Sequence, residues 1–254
     1  KIAQSKLVDK VYCAPGNGGI GELAECVDIK ADDIDGLLEF ARSEGIGLTV
    51  VGPEAPLSLG IADCFEKNGM RIFGPCRKGA MLESSKAFSK DFMIRNKIPT
   101  AAYKVYYEAE KAKAGLDDFG YPVVIKADGL AAGKGVIIAQ NREEAISAID
   151  DMLTGRKFGE AGSKIVVEEF LRGKEASILA FVDGKVAVPM VSAQDYKRAL
   201  DNDEGLNTGG MGAVSPAFYY DEATAEVVER DIIRRTVEAL KAEGICYKGV
   251  LYFG

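Results

Sequence analysis

Two lysines around a glycine-rich segment are the residues of this chain best suited to chemistry. Lys126 ends an apolar run, and the segment from Gly129 to Gly135, which contains Lys134, leads into a second β-branched run. Glycines let backbone N–H groups approach oxygens closely, and lysines add compact positive charge, a combination that suits a polyphosphate. The alternative is an ordinary glycine-rich hairpin with solvated lysines. The segment is not a Walker A motif, because it lacks G-x-x-x-x-G-K-[ST] and a strand follows it.

The positions of Lys126 and Lys86 bear on the phosphate interpretation. Strand alternation from Val124 turns Lys126 inward, and a buried lysine needs an anionic partner. Lys86 follows Ser84 and Ser85 at the predicted start of a helix. It is either an exposed lysine on a capped helix or a further cation that reaches the same phosphates.

The run Glu168-Glu169-Phe170-Leu171, followed by Glu175, has the spacing of an adenine-binding hinge. The Glu169 carbonyl can accept a hydrogen bond from the exocyclic amine, and the Leu171 N–H can donate one to a ring nitrogen. The Glu175 carboxylate can then accept both ribose hydroxyls. The same spacing also occurs in a strand that ends in a charged turn. Without other motifs, the spacing favours that alternative.

A second candidate site combines a glycine-rich run with nearby charged residues. Residues 207–212 form an Asn-Thr-Gly-Gly-Met-Gly run, expected to be a turn, and Asp195, Lys197 and Arg198 precede it. These groups suit a small anionic substrate, with a flexible loop as the alternative. Glu54 follows the carboxyl end of a predicted strand, where open α/β sheets bind ligands, although a rigid proline-bounded turn explains it equally.

Composition excludes several classes of function. The chain has no histidine, which excludes Ser-His and Cys-His nucleophilic catalysis. A net charge of −7 argues against general nucleic-acid binding. The five cysteines are scattered without a C-x-x-C pair, which argues for a reducing cytoplasm and against a disulfide scaffold or zinc site. No apolar run approaches membrane-spanning length, so we expect no membrane partner. The remaining chemistry rests on lysines, carboxylates, backbone amides and a metal ion.

The elements that must position these residues divide the chain into two parts. Over residues 1–80, strands at 48–51 and 71–73 alternate with helices, which predicts an α/β domain with a parallel sheet. Over residues 81–254, strands come in hairpin-like pairs, and an amphipathic helix is predicted from 222 to 241. This second part is predicted to be α+β.

Both ends of the chain suggest a piece of a longer protein. Residues 1–4 are typical of the tail of a helix whose partner strand is missing. The apolar strand predicted at 249–253 lacks whatever would follow it. We therefore expect further chain on both sides.

Taken together, the motifs resemble the ATP-grasp superfamily, and within it the phosphoribosylamine–glycine ligase family of purine biosynthesis. The runs at 126–135 and 207–212 are the most specific of them. The matching segments extend nearly end to end: 14–17, 51–57, 72–75, 83–88, 125–135, 168–171 with Glu175, and 207–212. The resemblance implies a pre-ATP-grasp N-terminal domain over 1–80 and an ATP-grasp domain over 81–254.

The resemblance also implies a reaction in the cytoplasm. Glycine would attack the γ-phosphate of ATP to give an acyl phosphate, and the amine of 5-phosphoribosylamine would displace phosphate. Mg²⁺ would bridge the ATP phosphates. Another ATP-grasp carboxylate–amine ligase, or a nucleotide-binding module without catalysis, remains the alternative.

The family's functional residues carry over position by position. Catalytic roles are implied for Lys126, Lys134 and Arg198. ATP contacts are implied for Lys86, Lys126, Gly129, Gly133, Lys134, Gly135, Glu168, Glu169, Phe170, Leu171 and Glu175. Acceptor-side contacts are implied for Glu54, Asp195, Lys197, Arg198, Asn207, Thr208, Gly209, Gly210 and Met211.

Three departures from the family pattern affect these expectations. The family's opening strand and glycine-rich turn are absent, and its metal ligands and C-terminal domain are expected beyond residue 254. We therefore assign no metal ligand to this chain and expect it to have little ligase activity alone. Tyr196 stands where members often carry histidine, and its hydroxyl can still form a hydrogen bond.

Overall fold

The computed structural model describes residues 1–129, 135–155 and 162–254, without the side chains of Asp203, Leu206 and Asn207. This part of the chain divides into two compact units, Lys1–Arg77 and Lys78–Gly254. Among the described residues, no helix has the length and apolar character needed to cross a membrane.

The first unit is built from parallel strand pairs and short helices, as its alternating pattern predicts. Its elements are β1 (Tyr12–Cys13), β2 (Glu25–Cys26), α1 (Ile34–Ser43), β3 (Thr49–Val50), α2 (Glu54–Leu59), α3 (Ile61–Lys67) and β4 (Ile72–Phe73). Strand β1 pairs with β2, and β3 pairs with β4, both parallel. The Asp33 carboxylate caps α1 by accepting the Gly36 N–H at 3.0 Å.

Phe65 is fully buried at the centre of the first unit. Helices α1 and α3 pack around it with Ile72 of β4. The predicted strand at 48–51 is present as β3, and Leu48 and Val50 remain about half exposed.

The second unit contains antiparallel strands and helices, which confirms its α+β character. Its strands are β5 (Tyr103–Tyr106), β6 (Val123–Ala127), β7 (Val136–Ala139), β8 (Ile165–Glu169), β9 (Ile178–Val182), β10 (Ala187–Pro189), β11 (Gln194–Leu200), β12 (Glu204–Val214) and β13 (Gly249–Phe253). Its helices are α4 (Arg77–Ser84, which begins on the last residue of the first unit), α5 (Lys86–Arg95), α6 (Ala109–Ala114), α7 (Arg142–Ile149), α8 (Glu222–Val228) and α9 (Arg234–Ala242). A π-helical segment, Glu229–Ile233, joins α8 to α9, so the predicted long helix is helical throughout.

The strands of the second unit form three antiparallel groups. One sheet has the order β5-β8-β6-β7, a second has the order β10-β9-β13, and β11 pairs with β12. In the first sheet, Ile125 and Val167 are fully buried on one face and pack with Ile149 and Met152, which follow on the helical segment after β7. Strand alternation therefore places Lys126 and Glu168 on the other face.

The end of α5 is fastened to the residue that follows α9. The Arg95 guanidinium donates two hydrogen bonds to the Glu243 carboxylate, at 2.8 and 2.9 Å, and the Asn96 amide donates a third at 2.9 Å. The hydrogen bonds from Arg95 lower the pKa of Glu243 from 4.5 to about 2. The stabilisation is therefore present above about pH 4.5 and is lost as pH falls towards 2.

Replacing Glu243→Gln should lower the free energy of unfolding near pH 7 by about 1 kcal/mol, a value reduced for solvent screening of a partly exposed pair. Because the carboxylate protonates in acid, the difference from wild type should shrink as pH falls from about 5 to about 3. Urea unfolding across this range measures it. The exposed Glu238 of α9, changed to Gln, is the matched control. A deficit of constant size at every pH would contradict the assignment.

Candidate functional site

The site is built on a diagonal pair between β6 and β8. Lys126 lies opposite Val166, and Val124 lies opposite Glu168, so Lys126 and Glu168 are diagonal neighbours on one face of the sheet. The Lys126 ammonium forms an ion pair with Glu168 Oε1. The Glu168 side chain is 3% exposed and that of Lys126 is 30% exposed. The anionic partner expected for Lys126 is thus a protein carboxylate, and part of the lysine still faces solvent.

A second lysine, Lys90 of α5, holds the other oxygen of the same carboxylate. Its ammonium forms an ion pair with Glu168 Oε2 and donates hydrogen bonds to Thr100 Oγ1 at 2.9 Å and to the Ala101 carbonyl at 3.3 Å. Burial lowers the pKa of Lys90, and the hydrogen bond to Glu168 opposes that shift only in part. Glu168 is therefore one buried anion shared by two cations.

Asp128 fastens the start of α5 to the end of β6. Its buried carboxylate accepts the Ala87 N–H at 2.6 Å and the Ser85 hydroxyl at 3.0 Å, and it pairs with the Lys164 ammonium at 3.0 Å. Its carbonyl also accepts the Lys86 N–H at 3.2 Å. The helix that carries Lys86 is thereby fixed against the strand that carries Lys126.

Lys86 points towards the glycine-rich segment. Ser85 caps α5 by accepting the Phe88 N–H at 3.2 Å, as predicted, but Lys86 is half-buried rather than exposed. Its ammonium donates to the Gly129 carbonyl at 3.1 Å. Burial lowers the pKa of Lys86, Asp128 opposes the shift, and the positive charge of Lys126 lowers the pKa further. The two lysines are therefore close enough for their charges to interact.

The glycine-rich segment begins and ends at this cluster. The Gly135 carbonyl accepts the Ala127 N–H at 2.8 Å and closes the hairpin between β6 and β7. The predicted phosphate ligands Gly133 and Lys134 lie outside the described residues.

The predicted hinge follows the last residue of β8. The Glu169 N–H donates to the Ala102 carbonyl at 3.0 Å, and its side chain accepts the Ala102 N–H at 2.9 Å. Beyond it the chain leaves the sheet, with Leu171 64% exposed and the Phe170 ring 5.8 Å from the Arg172 guanidinium. This geometry is compatible with both the hinge and the charged turn.

The predicted turn at residues 207–212 is wrong, because these residues belong to strand β12. Tyr196 of β11 pairs with Gly212, and Arg198 pairs with Asn207, with a register shift between them. Gly210 has φ +121°, and a Cβ there would lie 3.1 Å from Asp195 Oδ1. The glycine therefore permits the irregular pairing and the close approach of Asp195.

The hairpin β11–β12 is joined to the hinge side by an ion pair between Lys197 and Glu175. Burial is the largest single effect and lowers the pKa of Lys197, but the hydrogen bond to Glu175 and the nearby charges, chiefly that of Glu175, together outweigh it, and the pKa is raised. The Thr208 hydroxyl donates to the Lys197 carbonyl at 2.9 Å, and Arg198 donates to the Gly205 carbonyl at 2.5 Å. The predicted ribose ligand thus lies beside the predicted acceptor residues.

The remaining predicted site residues take the following positions. Glu54 is the exposed first residue of α2 in the first unit. Gly209 is exposed, and Met211 is 62% exposed on β12. Within the described part of the chain, no group of three or more Cys, Asp or Glu side chains could hold a metal ion.

Comparison with known proteins decides the family. The model of the phosphoribosylglycinamide synthetase N domain matches residues 1–83, and that of the ATP-grasp (A) domain matches residues 84–254. The chain belongs to the phosphoribosylglycinamide synthetase family. This confirms the resemblance drawn from the motifs and the expected combination of an α/β domain with an ATP-grasp domain.

Individual relatives of this synthetase family agree. The chain is 53% identical to the phosphoribosylamine–glycine ligase of Haemophilus influenzae and 54% identical to that of Yersinia pestis, covering 100% of this chain and 60% of each relative. The crystal structure of the Thermotoga maritima phosphoribosylamine–glycine ligase superposes with a TM-score of 0.84 at 32% identity, covering 100% of this chain and 61% of that one. The chain thus spans about 60% of the length of the curated relatives it matches.

Sequence reasoning missed three residues of the cluster, Lys90, Asp128 and Lys164. Two of them carried a usable signal. Lys90 lies one helical turn after Lys86 on the same helix, and Asp128 lies two residues after Lys126, on the same side of the chain. Lys164 is distant in sequence from its partner, and only the pairing of β6 with β8 brings them together.

Replacing Asp128→Ala should destabilise the protein by about 2–4 kcal/mol, because it leaves the Ala87 N–H and the Lys164 ammonium without their buried acceptor. Asp128→Asn, which keeps an acceptor oxygen, should cost less. Urea unfolding followed by circular dichroism measures both. The control is Asp118→Ala, which removes a half-exposed ion pair with Lys104. Equal losses for Asp128→Ala and Asp118→Ala would contradict this role.

Proposed function

We propose that the whole protein containing this chain is an ATP-dependent ligase that joins glycine to 5-phosphoribosylamine. The products are glycinamide ribonucleotide, ADP and phosphate. The observation that carries the proposal is the convergence of Lys86 and Lys126 at the start of the glycine-rich segment, in a chain of the phosphoribosylglycinamide synthetase family. A cytoplasmic location is part of the proposal.

The charge of the cluster suits a triphosphate. Four lysines surround two buried carboxylates, which leaves two positive charges in excess when all six groups are ionised: Lys86, Lys90, Lys126 and Lys164 with Asp128 and Glu168. This local excess occurs in a chain of net charge −7. Attraction for the ATP phosphates is therefore assigned to local positive charge and not to the charge of the whole chain.

The remainder of ATP is assigned to the segment after β8. The Glu169 carbonyl and the Leu171 N–H would bind the adenine edge, and the Glu175 carboxylate would accept the ribose hydroxyls. Phe170, between them, offers an aromatic ring to the base. The ion pair of Glu175 with Lys197 fixes the ribose ligand beside the acceptor side.

The proposed reaction has two steps. A glycine carboxylate oxygen attacks the γ-phosphorus, the bond to the β–γ bridging oxygen breaks, and ADP leaves. The amine of phosphoribosylamine then attacks the glycyl carbonyl carbon, the carbon–oxygen bond to phosphate breaks, and the amine loses a proton. Because the substrates supply both nucleophiles, the protein acts by positioning and by charge stabilisation, which fits a chain without histidine.

The acceptor side is assigned to the β11–β12 hairpin. Lys197 and Arg198 are the cations available there for a carboxylate or phosphate, and Asp195 can bind an amine. Asn207, Thr208, Gly209, Gly210 and Met211 would line the same surface. Of these residues, Arg198 is proposed to act on the reacting groups, together with Lys126 and Lys134.

Mg²⁺ is the metal we propose for this reaction, where it would neutralise charge on the ATP phosphates. No described residue group forms a three-ligand site. On the family resemblance, its carboxylate ligands are proposed to lie beyond residue 254, and the chain alone is expected to have little ligase activity.

An oxygen-isotope experiment tests the proposed reaction. The whole protein is supplied with ATP, phosphoribosylamine and glycine labelled with ¹⁸O in its carboxylate. Because the attacking carboxylate oxygen leaves with the phosphate, one ¹⁸O atom should appear in each inorganic phosphate released. Mass spectrometry of the phosphate measures the transfer, and β-alanine in place of glycine is the control substrate.

The outcomes separate the alternatives. ADP formation with another acid but not with glycine would indicate a different ATP-grasp ligase. ATP binding without ADP formation for any acid would indicate a nucleotide-binding module. Glycine-dependent ADP formation with unlabelled phosphate would exclude the glycyl phosphate route.

A further inference from the structure

We propose that Lys90 is a positioning residue that keeps the charge of Lys126 available to the ATP phosphates by sharing the Glu168 carboxylate. The inference rests on the proposed function and assigns a role to a residue outside the predicted site. Lys90 itself is only 11% exposed and is turned away from solvent by its contacts, so it does not contact the ligand.

The first observation is the division of one carboxylate between two ammonium groups. Lys126 pairs with Oε1 of Glu168 and Lys90 pairs with Oε2. One negative charge therefore faces two positive charges, and the group of three carries a net positive charge. Without Lys90, Glu168 would neutralise Lys126 alone, and the pair would attract phosphate less strongly.

The second observation is that Lys90 forms two hydrogen bonds besides its ion pair with Glu168. Its ammonium also donates to the Thr100 hydroxyl and to the Ala101 carbonyl, which precede β5. These contacts hold the ammonium in place, and the ammonium holds the carboxylate. While Lys90 holds Oε2, Glu168 cannot place both of its oxygens on Lys126.

The third observation is that the Lys126 side chain is more exposed to solvent than the Glu168 side chain it pairs with. Exposure rises from 3% for Glu168 to 30% for Lys126. Of the three side chains, that of Lys126 is the most exposed and the one that a ligand can reach. Lys90 therefore acts on ATP through Glu168 and Lys126, as partners behind a ligand-binding group do in metal sites.

A purely structural role makes a different prediction. If Lys90 only neutralised a buried carboxylate for folding, its loss would reduce stability and would weaken adenosine and ATP binding alike. A role through Lys126 should instead change the ratio of the two affinities. Adenosine lacks the phosphates on which Lys126 acts.

The test is calorimetric titration of the whole protein with ATP and, separately, with adenosine. Lys90→Met should weaken ATP binding by about tenfold, the effect typical of partners behind a binding group, and leave adenosine binding unchanged. Lys90→Arg should restore most of the ATP affinity, because it keeps the cation. Lys104→Met, which removes a half-exposed cation of β5, is the matched control and should bind both ligands as wild type does.

A double-mutant cycle keeps the test decisive if Lys90→Met folds poorly. In the Glu168→Gln background there is no charge to share, so adding Lys90→Met should change ATP affinity by less than about twofold. The same tenfold loss in both backgrounds would overturn the inference, as would equal losses for ATP and adenosine. Wild-type protein that binds no ATP would overturn the proposed function and this inference together, whereas ATP binding unaffected by Lys90→Met would overturn this inference alone.

Discussion

A carboxylate buried in a protein must be matched by positive charge, and Glu168 imposes that requirement on the second unit of this chain. Its side chain is 3% exposed on β8 and is matched by Lys126 of the neighbouring strand and Lys90 of α5. Removing one partner of such a buried pair commonly costs about 3–5 kcal/mol. The position of α5 against the sheet follows from this need.

Asp128, which directly follows β6, is a second buried carboxylate that is matched by positive charge. It binds the first turn of α5 through Ser85 and Ala87, and it draws Lys164 from the residue before β8. Helix and strands are thus joined by charge at two points. The same contacts that stabilise the fold hold Lys86 and Lys126 near the start of the glycine-rich segment, so the stability of the cluster and its proposed affinity for phosphate have a common origin.

The proposed role of the lysines depends on positive charge that the two buried carboxylates do not fully neutralise. Glu168 is shared by two lysines, and the Lys126 side chain remains 30% exposed. Such an arrangement concentrates positive charge in an acidic chain without a general basic surface. It also explains why chemistry without histidine is feasible, since the proposed substrates need positioning and charge stabilisation more than proton transfer by the protein.

Local patterns predicted much of this organisation. Strand alternation placed Lys126 on a common face with Val124, and the serine before Lys86 predicted the cap of α5, because both depend on residues adjacent in sequence. The motifs at 126–135 and 207–212 were sufficient for the family. Most of the elements of the second unit were also predictable from runs of apolar residues and turn signals.

What the sequence could not supply are the partners that come from other elements. The pairing of Lys90 with Glu168 requires the register of β8 and the packing of α5, neither of which a local pattern defines. Residues 207–212 were predicted as a turn because glycines favour turns, yet pairing with β11 makes them a strand. In both cases tertiary contacts, and not the local conformational preference of the sequence, determine the structure.

The most direct measurement is a crystal structure of the whole protein with a non-hydrolysable ATP analogue. The account predicts that phosphate oxygens contact the ammonium groups of both Lys86 and Lys126, while Glu168 remains between Lys126 and Lys90. Phosphates bound away from both lysines, or a Glu168 carboxylate that has left Lys90 to pair with Lys126 alone, would contradict it.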